Sequence, residues 1–135
     1  MTPEQLVELA KDAMTRAYSP YSGYKVGAAL LCKDGTVYQG CNIENAAYGP
    51  TNCAERTAIF KAVYDGQRDF VAIAVCGGKD GIITGGFPPC GVCRQVMREF
   101  CEDDFMIYMG GAEGYSAMTM TQLLPAGFKA SEHMA

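Results

Sequence analysis

Short, apolar, β-rich runs alternate with segments of helical periodicity along this chain, and this alternation constrains its fold more than any other feature. Elements in such an order pack as a mixed sheet with helices on both faces. We therefore predict an α/β fold, a three-layer α/β/α sandwich around a sheet of about five strands. The predicted elements are a helix over 3–17, strands 26–32 and 36–44, a helix over 53–65, strand 70–76, a helix over 90–101, strands 105–109 and 115–120, and a short helix ending near 125.

Local cues set several of these boundaries. Thr2 is a good N-cap, Pro3 suits the first helical position, and the residue three after the cap is a glutamine, which completes a capping box. Asp34-Gly35 is a strong signal for a hairpin turn between the first two strands. Thr121 is the predicted cap of the last helix.

Composition excludes several classes of protein. With 135 residues the chain can form one core, and we expect a single domain over 1–135. The net charge is −4 and the basic residues are scattered, which argues against a DNA or RNA polymer as partner. The chain lacks an apolar run of the roughly 18 residues that a membrane helix needs, and its start lacks the pattern of a signal peptide. We expect a cytoplasmic protein.

The cysteines indicate a metal site. The chain has seven cysteines and shows no signal-peptide pattern at its start. We therefore expect free thiols or metal ligands instead of a disulfide framework. Cys53, Cys90 and Cys93 stand at predicted helix starts, where partial positive charge favours thiolates. Three thiolates fill three tetrahedral zinc positions and leave one for water, as in a catalytic site. The other cysteines are assigned to packing, and they are Cys32, Cys41, Cys76 and Cys101.

Glu55 lies in the first turn of a predicted helix, beside Cys53. Its side chain points back towards the helix start, so its carboxylate could exchange protons with a water on the metal. The alternative is a structural capping box with Asn52. Arg56 and Arg94 each follow a ligand motif, and each is either a donor to the sulfurs or an ordinary surface arginine.

Asn42 and Glu44 lie two residues apart on a predicted strand and therefore share a face. An amide and a carboxylate on one face suit hydroxyl recognition, although a solvated strand face would have the same pattern. Local spacing leaves both interpretations open.

Taken together, these residues resemble the small homotetrameric zinc-dependent cytidine deaminases of the cytidine and deoxycytidylate deaminase family. The combination of Asn42-Ile43-Glu44-Asn45 with Cys53-Ala54-Glu55-Arg56 is specific, and the similarity covers nearly the whole chain. Further matching segments are Tyr18-Ser19-Pro20-Tyr21-Ser22, Val26-Gly27-Ala28-Ala29-Leu30, Pro89-Cys90-Gly91-Val92-Cys93-Arg94-Gln95 and Leu123-Leu124-Pro125.

The resemblance implies hydrolytic deamination of cytidine and 2′-deoxycytidine to uridine, 2′-deoxyuridine and ammonia, in pyrimidine salvage. One zinc ion per chain would activate water, with Glu55 as proton shuttle. Asn42 and Glu44 would bind ribose, the Ala54 backbone would contact the base, and Tyr24 would stack near it. The resemblance also implies a homotetramer with shared active sites, in which Tyr48 and Phe128 enter a neighbouring subunit's site.

Two positions depart from the family pattern. Tyr24 stands where the family usually has phenylalanine, and Pro88 replaces a usual serine. Three other functions stay open: the same zinc centre acting on an aminoacyl-nucleoside or a free base, a thiol-disulfide protein using Cys90 and Cys93, and a zinc-binding assembly module without catalysis.

Overall fold

The computed structural model describes residues 1–134, and a mixed five-stranded sheet is its central layer. The strand order is β2-β1-β3-β4-β5; β3 and β4 pair in parallel, and the other neighbours pair antiparallel. The predicted mixed sheet of about five strands is confirmed. The strands are β1 Tyr24–Cys32, β2 Val37–Cys41, β3 Phe70–Lys79, β4 Met106–Gly110 and β5 Tyr115–Thr119.

Helices cover both faces of the sheet because the central strands carry apolar side chains on both sides. On β3, alternate residues face opposite layers: Ala74 packs with the first helix, whereas Ile73 and Val75 pack in the larger core with the next two helices. No helix within residues 1–134 is long and apolar enough to cross a membrane. The helices are α1 Pro3–Met14, α2 Ala54–Tyr64, α3 Gly91–Phe100, α4 Met120–Leu123 and α5 Ala130–His133.

Both ends of α1 have local causes. The predicted capping box is confirmed, since Gln5 N donates to Thr2 Oγ1 (3.2 Å) and Thr2 N donates to Gln5 Oε1 (2.9 Å). The predicted end near Ala17 is wrong, because the helix ends at Met14. From Thr15 to Ala17 each amide donates to the carbonyl three residues back. This is the 3₁₀ spacing, so the α-helical hydrogen-bond pattern ends before Thr15.

Strand β2 ends at Cys41, three residues earlier than predicted. The reason is the side chain of Asn42, whose Oδ1 accepts from Val26 N (2.9 Å) and so takes the place of a strand carbonyl. Strand β3 runs to Lys79 instead of ending at Cys76. Thr121 is wrong as the cap of α4, because Thr119 forms a capping box with Gln122.

Two glycines let helices approach the sheet closely. A Cβ at Gly27 would lie 2.0 Å from the Ala10 carbonyl oxygen of α1. A Cβ at Gly40 would lie 2.5 Å from the Ala54 carbonyl oxygen and the Ala58 nitrogen of α2. The absence of a side chain at Gly40 therefore fixes how near β2 the first turn of α2 can lie.

Candidate active site and metal centre

Three cysteine sulfurs meet where two helices begin. Cys53 is the N-cap of α2, Cys90 is the N-cap of α3, and Cys93 lies in the first turn of α3. Their Sγ atoms all lie within 4.8 Å of one another, with Cys53 to Cys90 at 3.6 Å and Cys90 to Cys93 at 3.5 Å. Sulfurs bound tetrahedrally at about 2.3 Å from zinc would be about 3.8 Å apart. The donor set and its spacing fit one zinc ion.

The surroundings of the cluster favour a thiolate at Cys53. Hydrogen bonding from the Cys93 thiol, together with that from Arg56, lowers the pKa of Cys53 to about 5. Within this pair Cys93 keeps its proton, because its hydrogen bond to Cys53 and its burial raise its pKa. A bound cation would displace that proton, as metal binding to cysteine does generally.

Glu55 lies in the first turn of α2 and is only 3% exposed. Burial raises the pKa of its carboxyl to about 7, with a smaller contribution from the negative charge of Cys53. Asn52 is wrong as the helix cap: Cys53 holds that position, and Asn52 Nδ2 donates to Thr57 Oγ1 (3.1 Å). The capping-box alternative for Glu55 is therefore not realised in the described chain, and a buried carboxyl beside the sulfurs suits proton transfer.

The two arginines have different partners. Arg56 donates to one of the sulfurs: its Nη2 lies 3.3 Å from Cys53 Sγ. Of the two interpretations left open for Arg94, the structure does not support donation to a sulfur, since both bonds of its side chain go to backbone carbonyls. Arg94 Nε donates to the Pro89 carbonyl (2.9 Å), directly before Cys90, and Nη1 donates to the Leu123 carbonyl (2.8 Å).

Asn42 and Glu44 follow β2 instead of lying on it, so their predicted place on a strand is wrong. Asn42 is buried, and its Nδ2 donates to the Tyr24 carbonyl (2.8 Å). The Glu44 carboxylate accepts from Tyr21 N and Ser22 N, both at 3.0 Å, and from Ser22 Oγ. Hydrogen bonding from Ser22 holds the pKa of Glu44 below its usual range.

Glu44 also borders a cavity of about 440 Å³. The cavity is lined by Tyr21, Ser22, Glu44, Asn45, Tyr48 and Thr51.

The three aromatic residues of the predicted site differ in their neighbours and in their exposure. The Tyr24 ring lies 6.4 Å from the Phe87 ring, and Lys79 Nζ lies 5.4 Å from the Tyr24 ring centroid. Phe128 is 54% exposed and stacks on His133 at 5.5 Å between centroids, while Tyr48 is 75% exposed.

Sequence reasoning missed three residues beside these groups: Ser22, Lys79 and Phe87. Ser22 lies in the loop before β1, and Lys79 Nζ donates to its carbonyl (2.6 Å). The strand pairing that sets Lys79 opposite Tyr24 is a contact between distant residues, which local patterns do not reveal. Ser22 had a detectable signal, since it ends the Tyr-Ser-Pro-Tyr-Ser segment of the family pattern.

Of the cysteines assigned to packing, Cys32, Cys76 and Cys101 are buried in the core. Cys41 is half-buried, and its Sγ donates to the Arg16 carbonyl (3.3 Å). None of these four joins the metal-type cluster found in residues 1–134.

A three-cysteine cluster at two helix starts, with a buried glutamate beside it and a mixed sheet behind it, defines a zinc-dependent deaminase. Residues 1–109 match the family described as the cytidine and deoxycytidylate deaminase zinc-binding region. The matched residues include all three cysteines of the cluster. The chain belongs to this family.

Sequence and structure comparisons agree with that assignment. The chain is 50% identical over 129 residues to a cytidine deaminase of Sporosarcina psychrophila, covering 95% of this chain and 92% of that protein. It is 50% identical over 133 residues to a cytidine deaminase of Halalkalibacterium halodurans, covering 98% of both. The crystal structure of cytidine deaminase from Burkholderia pseudomallei superposes with a TM-score of 0.87 at 46% identity, covering 95% of this chain and 100% of that one.

Proposed function

We propose that this chain deaminates cytidine and 2′-deoxycytidine hydrolytically, giving uridine or 2′-deoxyuridine and ammonia, in cytoplasmic pyrimidine salvage. The observation that carries the proposal is the buried Glu55 carboxyl beside Cys53 and Cys93, which form the three-sulfur cluster with Cys90. The cytidine deaminases that resemble the chain over almost its whole length support the choice of substrate.

Cys53, Cys90 and Cys93 would hold the zinc ion, whose Lewis acidity makes water a nucleophile at neutral pH. Glu55 takes a proton from the attacking water and delivers it to N3 of the cytosine ring as the new C4–O bond forms. Glu55 then moves the proton of the new C4 hydroxyl to the amino group on C4. The C4–N bond breaks, ammonia leaves, and the C4 hydroxyl oxygen becomes the carbonyl oxygen of the product. The burial of Glu55 suits this role, because it keeps the carboxyl able to accept and release a proton near neutral pH.

Arg56 offsets the charge of the sulfurs. Three thiolates outweigh the charge of one zinc ion, and such a centre acidifies water poorly. The N–H group of Arg56 on Cys53 Sγ draws electron density from the sulfur and so restores the acidity that the reaction needs.

The proposed nucleoside subsite consists of four residues: Glu44, Asn42, Tyr24 and Ala54. Glu44 stays ionised because Ser22 and Tyr21 donate to it, and an ionised carboxylate accepts well from the ribose 3′-hydroxyl. Asn42 anchors the backbone of Val26 and Tyr24. In this proposal it also binds the sugar beside Glu44. The Tyr24 ring stacks near the base, and the Ala54 backbone contacts it.

The chain acts as a homotetramer with shared sites in this proposal. Tyr48 and Phe128 expose most of their side chains and would enter a neighbouring subunit's site. Large apolar side chains are also exposed beside and along α2, with Ile43 at 46%, Phe60 at 48% and Tyr64 at 91%. Such a patch is typical of a surface that a second copy covers. Light scattering on the purified protein gives the number of subunits.

Turnover and metal content test the proposal together. The protein is mixed with cytidine, 2′-deoxycytidine or free cytosine, ammonia release is followed, and zinc per chain is measured on the same sample. We expect turnover of both nucleosides, little of the base, one zinc per chain, and loss of activity after chelation. A chelator without effect together with a harmless Cys53→Ala change would indicate a thiol-disulfide protein, and zinc without ammonia would indicate an assembly module.

A further inference from the structure

The backbone just before Cys90 has no hydrogen-bond donors of its own. Pro88 and Pro89 both lack an N–H group, so this segment can be fixed only through its carbonyl oxygens. Pro89 is buried, where an unpaired carbonyl would be costly. Its partner is Arg94, whose Nε donates to it at 2.9 Å. The position of Cys90 therefore depends on a side chain one helical turn further along.

The same guanidinium has a second carbonyl partner. Arg94 Nη1 donates at 2.8 Å to the carbonyl of Leu123, the last residue of α4. The guanidinium is planar and holds its donors at fixed angles, so the two carbonyls are fixed relative to each other. A lysine at this position would keep the charge but not this two-directional geometry.

Residues 123–128, here called the C-terminal arm, pack against the same side of α3. Gln95 Nε2 donates to the Phe128 carbonyl (3.0 Å). Gly127 lies so close to α3 that a Cβ there would be 3.0 Å from Arg98 Cδ. Helix α3 thus carries two zinc ligands at its start and holds the segment that presents Phe128.

We propose that Arg94 is a positioning residue that ties the backbone before Cys90 to the C-terminal arm, so that zinc retention and the placement of Phe128 depend on one side chain. This inference rests on the proposed zinc site and deaminase activity. It differs from an electrostatic role at the sulfurs, because it acts through two carbonyl oxygens and depends on the shape of the guanidinium.

The test compares Arg94→Lys and Arg94→Ala with Gln95→Ala, all as zinc-loaded protein. Zinc affinity is measured by competition with a chromophoric chelator, and the sulfur-to-metal absorption bands are recorded after cobalt substitution. Arg94→Ala is expected to weaken zinc binding about 10- to 100-fold and to change the cobalt bands. Arg94→Lys is expected to weaken it about 10-fold despite the retained charge. Both variants also raise KM for cytidine.

Gln95→Ala is the matched control, since it removes only the contact to the Phe128 carbonyl. It is expected to raise KM while zinc affinity stays within about twofold of the parent protein. If Arg94→Ala does not fold, Arg94→Lys decides. An Arg94→Lys protein with the parent's zinc affinity and cobalt bands would overturn the inference. A parent protein without zinc or turnover would instead overturn the proposed function.

Discussion

A methyl group added at Gly40 tests how the sheet positions the active-site helix. The new Cβ would lie 2.5 Å from the Ala54 carbonyl oxygen and the Ala58 nitrogen, both backbone atoms of α2. Ordinary contact begins near 3.4 Å, so the first turn of α2 must move by about 0.9 Å in Gly40→Ala. That turn carries Cys53 and Glu55, so the movement displaces both from the other two sulfurs.

We expect this overpacking to lower the free energy of unfolding by about 1–3 kcal/mol. A displacement of about 1 Å at reacting groups can cost about 100-fold in rate, so kcat/KM for cytidine should fall by up to that factor. Urea unfolding followed by circular dichroism measures the first effect, and steady-state ammonia release measures the second. Gly85→Ala is the matched control, because a Cβ there meets no described atom within 4 Å. A Gly40→Ala protein as stable and active as Gly85→Ala would refute the reasoning.

Three further predictions concern single contacts. Arg56→Gln removes the charged donor on Cys53 Sγ, so the sulfur charge is no longer offset, and kcat for cytidine should fall about 10- to 100-fold in steady-state assays; an unchanged kcat would contradict its role. Ser22→Ala removes one of the donors to Glu44 and should raise KM for cytidine about two- to fivefold with kcat unchanged, so a change confined to kcat would count against Glu44 as a ribose ligand. Thr2→Ala removes the cap of α1 and should lower the free energy of unfolding by about 1 kcal/mol with no change in kcat/KM, as measured by urea unfolding and steady-state kinetics; an activity loss would show that α1 affects the site.

Local patterns predicted most of the framework, because the elements follow periodicities that the sequence shows directly. The apolar run that became β3 and the capping box of α1 are examples. The predicted end of β2 was wrong because a side-chain oxygen replaced a backbone carbonyl as hydrogen-bond acceptor. Asn42 ended β2 early by accepting from Val26 N, a bond between residues distant in the sequence.

The cap of α4 is a different kind of error. Thr119 and Thr121 are both plausible caps, and the glutamine three residues after Thr119 decides between them. That signal was present in the sequence, so this boundary could have been predicted.

The metal cluster was predictable because the spacing of Cys90 and Cys93 and the pairing of Cys53 with Glu55 are short-range features. The partners of Arg94 were not, since Leu123 lies 29 residues away and meets the side chain only once α4 packs against α3. The donors to Glu44 depend likewise on the loop before β1 folding back over 22 residues.

The most direct test of the central claim is zinc content and cytidine turnover measured on one sample of Glu55→Gln. The change keeps the size of the side chain and removes its ability to carry a proton. We predict one zinc per chain and a fall in kcat of about 10²- to 10⁴-fold. A zinc-loaded Glu55→Gln protein that deaminates cytidine at the parent's rate would contradict the account.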